Sequence, residues 1–115
     1  MAKKVLTAVK ADFNKITKVA LEVATSASDG FVLNLPEADE YVFLIAENTH
    51  ESTSYKVTVK APENQGYASS DEDLEVTLSA GEKAIIRVES ARYANTDGTV
   101  NITVGNTAVK VVAVY

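Results

Sequence analysis

The strongest constraint on this chain is the alternation that runs through its last third. Between Glu82 and Tyr115, apolar residues recur at every second position: Ile86 and Val88, then Val100, Ile102 and Val104, then Val109, Val111 and Ala113. A period of two puts one set of side chains on one face of a β-strand, so each run offers an apolar face to a core. Asn95-Thr96-Asp97-Gly98 separates the first two runs, and Gly105-Asn106 separates the last two. Asn, Asp and Gly tolerate the left-handed backbone of a tight reversal. A two-residue Gly-Asn link also fits a type II′ hairpin. The segment is therefore expected to form an antiparallel meander.

The same pattern continues upstream. Gly30 to Leu35 reads as a short strand stopped by Pro36, which has no amide to donate to a ladder. Tyr41 to Glu47 (YVFLIAE) is the most apolar run and is expected to be a central strand covered on both faces. Tyr55, Val57 and Val59 alternate with Lys56, Thr58 and Lys60, and Leu74, Val76 and Leu78 with Glu75, Thr77 and Ser79. Those are half-exposed strands. Polar breaks fall at residues 25–30, 48–53, 62–70 and 79–82. About seven or eight strands with breaks every ~8–12 residues predict an all-β fold. The expected architecture is a single antiparallel β-sandwich, Ig-like or jelly-roll-like. Leu44, Val57, Val76, Ile86, Val88, Ile102 and Val111 are its expected core.

The N-terminal segment carries two conflicting patterns. Leu6, Val9, Phe13, Ile16 and Ala20 have the spacing of one helix face, whereas Val19, Leu21 and Val23 alternate as in a strand. Residues 1–14 are read as an N-terminal arm, partly helical, and 15–115 as the sandwich domain, with a strand near 16–24. Charge sets the arm apart. Residues 1–20 hold five lysines against Asp12, net +4, while residues 21–75 carry −10 and the remainder +1, giving −5 overall. A basic arm beside an acidic body suits docking on an acidic surface. Solubilising a terminus is the plainer use of the same lysines.

Composition narrows the classes. The acidic body repels phosphates and shows no basic-aromatic interleaving, so no nucleic-acid partner is expected. The longest apolar run, Tyr41 to Ala46, is too short to cross a bilayer, and no membrane partner is expected. The start MAKKVLTAVKADFNK lacks the apolar core of a signal peptide. With no cysteine, disulfides and thiolate metal sites are excluded.

Motifs for catalysis are missing. His50, the only histidine, lies in a polar loop, and no phosphate loop, HExxH or nucleophile elbow is present. No catalytic or cofactor-binding residue is assigned, and no enzymatic reaction is expected. The acidic run Asp71 to Glu75 places Asp71, Asp73 and Glu75 at the first, third and fifth positions of a calcium loop, with Glu82 at the twelfth. Val76 stands where such a loop requires Gly, and Leu74, Val76 and Leu78 favour a strand. A solvated acidic turn is expected there, with no metal site. Asn101-Ile102-Thr103 is a glycosylation sequon by composition only, since it falls inside a strand.

Five segments in order carry a resemblance: YVFLIAEN, YKVTVKAP, LEVTLSAGEKAII, RYANTDGTVNITV and VKVVAVY. Together, over residues 30–115, they resemble the small head decoration (capsid cement) proteins of tailed phages. Glu47-Asn48, Lys56 to Lys60, Ser79 to Glu82 and Tyr93 to Val100 hold the places of that family's motifs. Ser79 stands where proline is common, and no proline precedes Tyr93. The resemblance implies a virion structural protein that binds the outer capsid surface, made in the host cytoplasm. Its implied partners are the major capsid protein and other copies of itself, in a trimer or other symmetric cluster. With the basic arm, this makes Lys3, Lys4, Val5, Leu6, Val9, Lys10 and Phe13 the expected capsid or inter-subunit contact, and deletion of 1–14 is expected to leave the sandwich folded. A bacterial surface Ig-like adhesion module and a carbohydrate-binding sandwich are the alternatives. The latter would use exposed aromatics among Tyr41, Tyr55, Tyr67, Tyr93 and Tyr115.

Overall fold

A computed structural model describes residues 3–10, 14, 16, 18–34, 41–62, 72–89, 93, 95 and 98–115, the side chains of Tyr41 and Glu89 excepted. Its named elements are eight strands: β1 (Lys4–Thr7), β2 (Phe31–Asn34), β3 (Tyr41–Asn48), β4 (Tyr55–Val59), β5 (Leu74–Leu78), β6 (Lys83–Glu89), β7 (Thr99–Val104) and β8 (Val109–Val114). Two sheets result, one ordered β1-β2-β7-β4-β5 and the other β6-β3-β8. The fold is all-β and compatible with a sandwich. Alternation decides which side chains meet between the layers. Val100, Ile102 and Val104 of β7 are buried while their neighbours are half-exposed. Val42, Leu44 and Ala46 of β3 are fully buried opposite them.

Five of the seven expected core residues are buried, and Val76 and Ile86 pack against the core while partly exposed. The expected meander is not formed. β6 and β8 lie in the three-stranded sheet and β7 in the five-stranded one, so the C-terminal strands do not pair with each other. Alternation specifies a face but no partner. The Gly105-Asn106 link is likewise no type II′ hairpin, because Gly105 lacks the positive φ that turn needs. Its N–H is given to the Lys56 carbonyl at 2.8 Å, and the Asn106 side chain accepts the Ala108 N–H at 2.9 Å. The link crosses from one sheet to the other.

The pairing has a simple order. β4 pairs with β5, β3 with β6 and β2 with β7, all antiparallel. Outside these, Glu22 forms an antiparallel bridge with Val111 of β8. The chain is thus a long two-stranded ribbon with its tip at β4–β5, folded so that β4 also meets β7 and β3 also meets β8. The expected strand near 16–24 shortens to the Glu22 bridge, with Ala24 buried beside it.

The arm expected over residues 1–14 is corrected in part. Lys4–Thr7 is a strand that runs parallel to β2, so the sandwich is not wholly antiparallel. Leu6 is fully buried, and Val9 bonds to β8 through its N–H to Ala113 O and its carbonyl to Tyr115 N. Among the described residues the helical spacing has no counterpart, since Leu6 is in the core while Ile16 is 95% exposed. Gly30 fixes where β1 and β2 start. Its φ of +63° suits glycine, and a Cβ there would run into the Ile102 carbonyl. Its own carbonyl accepts the Lys4 N–H at 3.0 Å.

Asn48, at the end of β3, is the only buried polar side chain among the described residues. Its amide nitrogen donates to the carbonyls of Leu78 (2.9 Å) and Thr53 (2.8 Å), and its oxygen accepts the His50 N–H (3.0 Å). Its backbone also takes the Gly81 N–H (2.8 Å) and donates to Glu82 O (3.0 Å). One residue thereby joins β3 to the end of β5 in the other sheet. Asn48→Ala strands the buried Leu78 carbonyl, and thermal or denaturant melts should show a loss of about 1–3 kcal/mol. Ile102→Ala, deep between the sheets, should cost about 2–5 kcal/mol in the same assay. An unchanged midpoint for either variant contradicts its assigned place.

Candidate binding surface

The expected contact residues do not form one patch. Lys3 reaches across the five-stranded sheet to the Asn101 side chain (2.7 Å), and Val5, 52% exposed, lies on that same outer face. Lys4 lies 3.9 Å from Glu22. Leu6 faces the core and Val9 is stitched to β8, while Lys10 is exposed. Phe13 lies outside the described residues. Leu6 is unavailable to a partner, and removing residues 1–14 removes a strand of the sheet.

The two outer faces of the molecule differ in chemistry. On the five-stranded sheet, the outward positions of β7, β4 and β5 are Thr99, Asn101, Thr103, Lys56, Thr58, Glu75 and Thr77. Lys56 and Glu75 pair at 3.5 Å. Thr, Asn and ion pairs suit contact with water. On the three-stranded sheet, Ile85, Ile45 and Val112 stand side by side across β6, β3 and β8. The next row is Arg87, Phe43 and Val114, with the Arg87 guanidinium 5.8 Å from the Phe43 ring centre. The row on the other side is Lys83, Glu47 and Lys110, where Lys83 lies 3.8 Å from Glu47. Ile85 is 69% exposed. The run expected to be covered on both faces is fully buried on one and half-buried on the other, where Phe43, Ile45 and Glu47 lie.

The alternation of Val19, Leu21 and Val23 extends this apolar side. Glu22 bonds to Val111, whose side chain points inward, so Leu21 and Val23 flank β8 on the outer side. Val19 and Val23 are both exposed. Sequence reading missed this face because period-two alternation in β3 and β6 is masked: Phe43 and Ile45, or Ile85, sit between equally apolar inward residues.

His50 accepts the Ser52 and Thr53 N–H groups at its Nδ1 (3.2 and 3.1 Å) and meets Tyr55 edge-on. It shapes the loop after β3. Among the described residues no three His, Asp or Glu side chains converge as a metal site would need, and no helix is long and apolar enough to cross a membrane. Asp71 is outside the described residues. Leu74 to Leu78 form β5, as the apolar pattern indicated. No family model matches the chain, and neither a characterised protein nor a solved structure matches it.

Asp73 instead closes the mouth of the loop between β4 and β5. It accepts the Ala61 N–H (2.7 Å) and the Lys60 ammonium (2.9 Å), and these hold its carboxyl below the usual carboxylate range. A depressed folded-state pKa adds stability above the unfolded value near 3.8, and that increment is lost as pH falls through the folded value. Asp73→Asn should therefore be less stable near neutrality by under about 1 kcal/mol, since the pair is at the surface. The gap should close as melts are taken below pH ~4. A gap that stays constant into acid contradicts the assignment.

Proposed function

We propose that this chain is a structural protein of a tailed-phage virion that binds the outside of the capsid and reinforces the head. The reading rests on the ordered set of segments that resembles capsid decoration proteins, and it gains support from the folded ribbon. We read the pairing β4·β5, β3·β6, β2·β7 and Glu22·β8 as a jelly roll, with β1 added at one edge. Jelly rolls serve in viral shells and in lectins. The segments of the resemblance occupy coherent places in it: Glu47-Asn48 and Ser79 to Glu82 meet through the Asn48 hydrogen bonds. The partner under this reading is the major capsid protein, joined by further copies of the chain around a symmetry axis, at the virion surface.

The lectin alternative draws less from the molecule. A sugar platform needs exposed aromatic rings, and Tyr55, Tyr93 and Tyr115 are packed against the core. All three are half-buried there, and the Tyr41 side chain and Tyr67 lie outside the described residues. The test is co-sedimentation of the purified chain with empty heads of the phage whose genome carries it. Saturable binding, at a stoichiometry fixed by the capsid lattice, is expected. A chain that stays in the supernatant while retaining specific glycans on an array overturns the proposal.

A further inference from the structure

We infer that the outer face of the three-stranded sheet is the docking face, and that its occupant is a repeating protein lattice presenting apolar side chains ringed by carboxylates. The choice of occupant rests on the capsid reading above; the choice of face does not. Three observations carry it.

The first is the contrast between the two outer faces. Thr, Asn and paired charges fill the outward positions of β7, β4 and β5, with Val5 exposed at the β1 edge, whereas Ile85 and Ile45 cross the other beside Val112, which is already buried. A 69% exposed isoleucine beside a half-buried one leaves apolar area in water that a partner would remove. The second is charge. On a chain of net −5, this apolar row lies between Arg87 on one side and Lys83 and Lys110 on the other, with Glu47 the one described acid among them. A complementary surface is acidic at its rim, and such pairing guides orientation and encounter more than affinity.

The third is size. Three strands at ~4.8 Å spacing and eight residues at ~3.3 Å rise give a face of roughly 400 Å². A stable one-to-one complex covers about 800 Å² on each partner. The face is therefore too small to hold a second copy as an isolated stable dimer, but it suits a lattice where many weak contacts act together. The polar outer face of the five-stranded sheet then remains toward solvent.

The experiment uses the full chain, with Ile85→Asp, Lys110→Glu and, as a control on the opposite face, Thr77→Asp. All three positions are wholly or partly exposed, and matching melting curves establish that each variant is folded. Binding to empty heads is measured by co-sedimentation, and self-association of the free chain by analytical ultracentrifugation. Ile85→Asp should raise the half-saturating concentration about tenfold or more, while Thr77→Asp should leave it within about twofold. Lys110→Glu should weaken binding at low salt and much less at high salt. Wild-type chain that fails to bind heads removes the capsid reading itself. Wild-type binding that Ile85→Asp leaves intact overturns the face while sparing that reading. A stable dimer in free solution that Ile85→Asp dissolves overturns the lattice occupant in favour of a second copy.

Discussion

The side-chain amide of Asn48 sits where the two sheets have to be held together, and the fold depends on it more than on any other polar group described. A sandwich joined only by apolar contacts leaves the relative placement of its sheets loosely specified. Asn48 removes that freedom by donating from the end of β3 to the last carbonyl of β5, in the opposite sheet. The turn between β5 and β6 then forms against the Asn48 backbone, with Gly81 at a φ of +78°. Once β5 and β6 are placed, the ribbon has its bend. A buried amide with both its donors and its acceptor used stabilises only this arrangement, because any other leaves polar atoms unpaired.

Gly30 does for the other end what Asn48 does here. It brings the chain up against the β7 backbone so closely that no side chain fits, and it hands its carbonyl to Lys4. β1 then lies along β2 and covers an edge that would otherwise be open. Lys3 and Lys4 thereby sit on the sheet, Lys3 bonded to Asn101 and Lys4 near Glu22, instead of on a separate arm. What is left for a partner is the part of the three-stranded sheet's outer face around Ile85, which meets water, while Val112 in the same row is already buried.

Much of the layer structure was legible in residue order. In β7 the triplet Val100, Ile102 and Val104 points inward as alternation requires, and the alternation of Leu74, Val76 and Leu78 became β5. Pairing was not legible. Ile86, Ile102 and Val111 each declare a face, but nothing local tells β7 to leave its sequence neighbours for β2 and β4. The candidate surface was hidden where both faces of a strand are apolar, as in β3, because period two then carries no sign. Leu6 misled in the opposite way: one buried leucine among exposed residues reads as part of a helix face until β2 is seen beside it.

The central claim is that the molecule docks through the outer face of the three-stranded sheet and not through that of the five-stranded one. Hydroxyl-radical footprinting of side chains, on the free chain and on chain bound to heads, reads both at once. Labelling of Ile85 and Phe43 should fall on binding, while Val5 on the opposite face and Leu74 at the β5 edge keep their free-state reactivity. Protection of Val5 with Ile85 labelled as before would contradict the account and return the contact to the N-terminal strand.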